Sequence, residues 1–158
     1  MTDSSRAQFL AVDQNGLDFI KRWEGVRLLP YRCPAGKLTV GVGHVILPGE
    51  PYREGKAITQ GEADLLLFHD LRMVHGTIVR AFGSRVQTQH QFNALASFAF
   101  NCGTRTLVQG SVWEAVHEGG DVPAALRLYC KARVRGVLTE LPGLVARRKA
   151  EGELWSRK

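Results

Sequence analysis

One local device recurs three times beyond residue 58 and restricts what the rest of the chain can become. Thr59 with Glu62, Thr88 with Gln91 and Ser111 with Glu114 each write the pattern S/T-x-x-E/Q. In that pattern a hydroxyl accepts from the backbone three residues on, and the acid or amide reaches back to the first residue's own N–H. Each pair therefore predicts a helix start. The first opens ITQGEADLLLFHDLRMVHGTIVRAF, an amphipathic run that stops at Gly83. The second opens QFNALASFAFNCG, apolar on nearly every side and so expected in the middle of a core. The third opens a short helix ending at two glycines. Asp121 is placed to cap VPAALRLYCKA, and PGLVARRKAEGELW gives a last helix with proline near its start. From residue 59 onward the pattern is helix throughout, with no internal repeat, low-complexity tract or interdomain linker.

The segment before residue 59 follows other rules. Asn15 can cap a helix in which Leu17, Ile20 and Trp23 recur at helical spacing, with Asp18 in its first turn and Gly25 just past its end. Glu24 then falls at a helix C-terminus. The negative end of the dipole, and any burial against Trp23, would push its pKa upward. A glutamate so placed can hold a proton near neutral pH and give it to a leaving oxygen. From Leu28 to Ile46 the helical period vanishes. PAGK supplies turn residues, LTVGVGHVI alternates as a strand does, and the polar loop LPGEPYREGK follows, which predicts a small antiparallel hairpin. The expected architecture is α+β and mainly helical, one hairpin beside at least five helices.

A chain of 158 residues, 44% apolar, is long enough to fold as one domain without metals or disulfides. Cys33, Cys102 and Cys130 are odd in number, lack CxxC pairing and have no histidine at ligand spacing, so neither a disulfide framework nor a metal site is expected. No cofactor motif is present either. GVGHVI lacks the third glycine of a dinucleotide fingerprint, and there is no phosphate-binding loop or serine elbow. No apolar run approaches the roughly 20 residues that span a bilayer, and MTDSSRAQFLAVDQNG lacks a basic leader with an apolar core. The expectation is a cytoplasmic chain with reduced thiols and no export signal of its own.

Charge is uneven. Residues 1–126 hold 12 Lys+Arg against 12 Asp+Glu, and residues 127–158 hold 9 against 3, so the whole excess of +6 lies in the last fifth. Such an end favours an anionic surface or is a solvated helix face.

Taken one at a time, the residues of the turn region have plain structural readings. Cys33 can pack as a small hydrophobe, Thr39 is an ordinary strand residue, and His44 can be a structural histidine held by a carboxylate, for which Asp70 in LLLFHDL is the expected partner. Cysteine-protease chemistry finds no surrounding signature.

Taken together, Glu24, Cys33 and Thr39 within EGVRLLPYRCPAGKLTVGVGH resemble the pattern E-x8-D/C-x5-T, ending in T-x-G-x-G-H, of the phage-type lysozymes, the endolysins of tailed bacteriophages. The likeness continues through ITQGEADLLLFHDL, QFNALASFAFNCG and LPGLVARRKAEGELW, about residues 16–155 in order. It implies a lysozyme-like fold in a single domain over 1–158: a hairpin lobe at about 16–58, a long connecting helix at about 59–82 and a helical lobe at 83–158. It implies hydrolysis of the β-1,4 bond between N-acetylmuramic acid and N-acetylglucosamine in peptidoglycan, leading to host lysis. Glu24 is then the general acid, Cys33 fills the Asp-or-Cys position, and Thr39 helps to hold a water on the opposite face of the sugar. Phe100 and Asn101 fall where such enzymes line the cleft. One of Arg147 and Arg148 is expected near Glu24.

Cysteine in place of the commoner aspartate changes the chemistry. Two-carboxylate inversion uses a pair about 6.5 to 9.5 Å apart, whereas a thiol with an ordinary pKa of about 8.5 is mostly neutral at pH 7. It could orient a water, act as a thiolate or attack the anomeric carbon. A lytic transglycosylase is the nearest alternative, because it needs one glutamate only. A nucleic-acid module is the third, opposed by the lack of any such motif. The resemblance further implies a monomer that needs no cofactor and accumulates in the host cytoplasm. It would reach the wall once a holin permeabilises the membrane; the charge excess, read on its own, favours contact of the basic end with the anionic envelope.

Overall fold

The computed structural model describes residues 10–158. Most of the N-terminal stretch read above for a leader therefore lies outside the described residues. The chain divides into two compact units, Leu17–Arg72 and the remainder on either side of it.

The smaller unit contains nearly all of helix α1 (Gln14–Glu24). Its cap is Asp13, whose Oδ1 accepts from the Gly16 N–H at 3.0 Å. This corrects the expectation for Asn15, which sits exposed inside the helix. Asp13 wins because the same oxygen is held at 2.7 Å by the Asn93 amide, a tertiary contact that no local pattern announces. Asp18 lies beyond the first turn and pairs with Lys21 at 2.8 Å. At the far end Gly25 donates to the Lys21 carbonyl at 2.8 Å and closes the helix just after Glu24.

Strands β1 (Arg27–Arg32), β2 (Leu38–Gly41) and β3 (His44–Val45) follow as an antiparallel sheet in the order β1-β2-β3. A third short strand thus extends the expected hairpin. Tyr31 pairs with Thr39 and Val40 with His44, while β1 bulges between Arg27 and Tyr31. The turn from β2 to β3 needs left-handed backbone at Gly41 (φ 66°) and Gly43 (φ 72°), which is why TVGVGH carries glycine at those two places.

Helix α2 (Gln60–Asp70) starts from a complete capping box. The Glu62 N–H donates to Thr59 Oγ1 at 3.1 Å, and the Thr59 N–H donates to Glu62 Oε2 at 2.7 Å. Its buried Ala63 and Leu66 join Val40 and Ile58, with Val26, Leu28, Ile46 and Tyr52 packed around them. Each of the buried Val40, Ile58 and Leu66 stabilises the unit by about 1.5–3 kcal/mol.

The run expected as one connecting helix is two. Helix α3 (Arg72–Phe82) follows α2 after an interruption at Leu71, although no glycine or proline stands there. The cause is tertiary: α2 packs on β2 and β3, the compact unit ends at Arg72, and Val74, Ile78 and Phe82 of α3 are buried in the other unit.

In that larger unit α4 (Gln89–Cys102) is the central helix, with every residue from Phe92 to Ala99 buried. The box of Thr88 and Gln91 caps it. Around it stand α5 (Thr104–Gln109), α6 (Ser111–Glu118), α7 (Val122–Arg127) and α8 (Pro142–Trp155). α8 packs on both α4 and α7. It approaches α7 closely enough that a Cβ at Gly152 would meet Pro123 at 3.0 Å. Asp121 caps α7 by accepting from the Ala124 N–H at 2.8 Å, and Pro142 opens α8.

Two expectations fail here. Ser111 does not cap α6: its hydroxyl lies 3.3 Å from the Tyr129 hydroxyl, and the helix starts after Gly110 without a side-chain cap. The helix predicted over VPAALRLYCKA stops at Arg127, and a second hairpin, β4 (Lys131–Val134) with β5 (Val137–Glu140), follows it. KARVRGVLTE does carry a strand signal, β-branched residues on either side of an Arg-Gly turn, which the surrounding helical periodicity masks. Among the described residues no helix is long and apolar enough to cross a membrane.

Candidate active site

Glu24, Cys33 and Thr39 all lie in the unit Leu17–Arg72. Glu24 is the last residue of α1 and is exposed, so the burial considered for it is not found. Strand β1 separates it from Cys33, and a shallow cleft of about 360 Å3 runs along that strand from Arg27 to Tyr31.

Cys33 and Thr39 are drawn together. A tight turn returns the chain after β1: the Gly36 N–H donates to the Cys33 carbonyl at 2.7 Å, and the Cys33 N–H donates to the Lys37 carbonyl at 2.9 Å. Thr39, 2% exposed, places its hydroxyl 3.0 Å from the Lys37 carbonyl and within hydrogen-bond reach of the Cys33 sulfur, and either can take its one proton. Burial on its own would raise the thiol's pKa. The backbone N–H groups of Lys37 and Ala35, the Thr39 hydroxyl and the Lys37 charge outweigh it and hold the thiol below its ordinary range. Sequence reasoning missed these donors, since no side-chain pattern marks a backbone N–H. The arrangement can carry negative charge on sulfur and keep a hydroxyl beside it.

His44 on β3 is buried between two carboxylates. Its Nδ1 lies 2.9 Å from Asp70 Oδ2, and its Nε2 lies 3.0 Å from Glu50 Oε2. Glu50 was not anticipated; it sits in the polar loop after β3 and also accepts from the Leu47 N–H at 2.7 Å. Burial opposes a charged imidazole, but the two acids prevail and raise the His44 pKa. The ring belongs to the scaffold of the sheet, pinning β3 to the end of α2.

Phe100 and Asn101 belong to the other unit, at the C-terminal end of α4. Phe100 is half-buried. The Asn101 side-chain oxygen accepts from Arg148 Nη2 at 2.7 Å. Asn101 also lines a cleft of about 600 Å3 with Tyr129, Lys131 and Leu141.

Arg147 and Arg148 are 4% and 0% exposed, so they are no part of an adhesive surface. Both face Glu151, itself fully buried, at 3.1 and 3.2 Å. Ser97 donates to the same carboxylate at 2.7 Å, and the Arg147 Nη2 donates to the Ser97 carbonyl at 3.1 Å. The spacing of these three residues is visible in the sequence. Their burial is not. Among the described residues no group of acids, histidines and cysteines could hold a metal ion.

Comparison with known proteins places the chain among cell-wall enzymes. The Phage lysozyme family matches residues 21–151. An endolysin of Acyrthosiphon pisum secondary endosymbiont phage 1 is 34% identical over 146 residues, 91% of this chain and 97% of that protein. An endolysin of Lactococcus phage c2 is 31% identical over 94% of this chain, which spans 61% of its length. Among solved structures, the muramidase domain of SpmX from Asticaccaulis excentricus is 32% identical with a TM-score of 0.78, covering 94% of this chain and 99% of that one. A P22 lysozyme is 28% identical with a TM-score of 0.83, covering 93% and 99%.

Proposed function

Since the chain belongs to the phage lysozyme family of glycoside hydrolases, we propose that it hydrolyses the β-1,4 bond between N-acetylmuramic acid and N-acetylglucosamine of peptidoglycan. Glu24 protonates the bridging oxygen as the bond to the anomeric carbon breaks. A water attacks that carbon from the opposite face, giving its proton to the Cys33 sulfur while Thr39 helps to orient it. The observation that carries this reading is the set of donors around Cys33, which favours a charged sulfur at the Asp-or-Cys position of the family pattern. Once ionised, a sulfur so held does the proton-accepting work of a carboxylate and predicts inversion at the anomeric centre.

For the helical unit taken by itself, Phe100 and Asn101 keep their proposed role as substrate contacts. Accumulation in the host cytoplasm, with access to the wall after membrane permeabilisation by a holin, follows family analogy and stands as part of the same proposal.

Product analysis of digested sacculi tests the reaction. A free reducing end on the muramic acid, first formed as the α-anomer, is the expected result. A 1,6-anhydro end would mean that an internal hydroxyl replaces water and would make the protein a lytic transglycosylase.

A further inference from the structure

The cations of the last fifth of the chain are not evenly placed. Arg147 and Arg148 are interior, whereas Arg127, Lys131, Arg133 and Arg135 are exposed and fall on or just before the β4–β5 hairpin. Glu140 is the one acid between residues 127 and 140. Interleaved with these cations the same stretch leaves large apolar side chains uncovered: Val134 at 43%, Val137 at 66%, Leu138 at 60% and Leu128 at 68%. Val134 and Val137 face each other across the last rung before the tip. An antiparallel hairpin in a water-soluble unit ordinarily turns such a pair toward a core.

The tip adds a second peculiarity. Its two central residues, Arg135 (φ 48°) and Gly136 (φ 82°), both take left-handed backbone, a turn for which Asn-Gly or Asp-Gly is the usual choice. Arg135 is the sole non-glycine in that region among the described residues. Arg133 donates from Nη1 to the Gly136 carbonyl at 2.9 Å. A cation is therefore kept at the apex where local energetics favour a small polar residue.

We propose that the β4–β5 hairpin is a docking element for an anionic phospholipid bilayer. Val134 and Val137 enter the interfacial layer, and Lys131, Arg133 and Arg135 meet lipid phosphates, their alkyl stems lying along the apolar boundary. Charge complementarity selects an anionic partner. The uncovered valines select a bilayer over a wall polymer, since a hydrated polyanion offers phosphates but no apolar medium. Each cation close to an anionic leaflet strengthens binding about fivefold. Leu128, Lys131 and Leu138 also line the cleft beside Asn101, whereas Val134, Arg135 and Val137, which carry the docking, line neither cleft described above.

Flotation of the full chain with phosphatidylethanolamine–phosphatidylglycerol vesicles tests this, with phosphatidylcholine vesicles and lipid-free sacculi as comparisons. The expected result is association with the anionic vesicles only, weakened by salt. Arg135→Gly should weaken it about fivefold, and Val134→Ser with Val137→Ser should weaken it further. Arg135→Gly relieves the left-handed strain, so its loss of binding cannot come from a disrupted turn; Arg135→Asn, which also tolerates that backbone, is the second variant. Failure to bind anionic vesicles, equal binding to phosphatidylcholine, or binding untouched by these substitutions would overturn the proposal. So would an equal effect of the substitutions on lipid-free sacculi, which would make the hairpin a wall-polymer site.

Discussion

Nδ1 of His44, the first residue of β3, stands 2.9 Å from Oδ2 of Asp70, the last residue of α2. Glu50 closes the other side of the ring at 3.0 Å. His44 has a pKa above its ordinary 6.5 despite its burial, because both acids favour the charged ring. Its contribution is fully present below 6.5 and is lost as pH rises through the folded value. Glu50 has a lowered pKa: burial opposes this, but the Leu47 N–H and His44 prevail. Its contribution is present above its ordinary value of 4.5 and is lost as pH falls through the folded one. Asp70→Asn should therefore cost about 1–3 kcal/mol in mildly acidic solution, with the gap to the parent narrowing in alkaline solution. Thermal unfolding across pH checks this; a gap that does not change with pH would show that the contact is not ionic.

Glu24→Gln should lower wall-lysing turnover by about 10²- to 10⁴-fold, the usual worth of a general acid, while the circular dichroism spectrum stays that of the parent. Near-normal lysis by a folded Glu24→Gln protein would end the proposed mechanism.

Cys33→Asp should remain active, and Cys33→Ala should lose most activity. Lys37→Glu removes the favourable charge beside the sulfur and should move the alkaline shift of both iodoacetamide alkylation at Cys33 and the acidic limb of the activity profile in the same direction, upward. If alkylation shifts and activity does not, the thiolate takes no part in turnover.

Glu151→Gln should destabilise the helical unit by about 3–5 kcal/mol, since it leaves two buried guanidiniums without their anion. Lys149→Glu, on the exposed side of the same helix, should stay within about 0.5 kcal/mol. Urea unfolding of the two variants gives the comparison, and similar midpoints would contradict the buried cluster.

Thr59→Ala should cost about 1 kcal/mol through loss of the α2 cap. Ser111→Ala should cost less than half of that, because the Ser111 hydroxyl caps nothing and makes one long contact to Tyr129, while the backbone contact to the same phenol is kept. Equal losses would mean that Ser111 caps α6 in solution.

The helix starts at Thr59, Thr88 and Asp121 were legible because a cap is made within four residues of chain, so its energetics travel with the sequence. The buried length of α4 was legible for a similar reason: a helix apolar on every side has nowhere to go but a core. Local periodicity also marked the strand region around LTVGVGHVI, and the spacing of Glu24, Cys33 and Thr39 carried the family resemblance.

Tertiary structure decided the rest. Asn93 made Asp13 rather than Asn15 the cap, and packing of α2 and α3 in different units divided a run that has no local breaker. Burial turned Arg147 and Arg148 from expected surface charge into an interior cluster on Glu151. Backbone N–H groups, the same in every residue but proline, set the charge preference of Cys33, and the loop after β3 brought Glu50 to His44. Patterns of side chains fix what the chain does over one or two helical turns. Electrostatics and burial depend on what the folded chain places opposite, and that is decided only when distant segments meet.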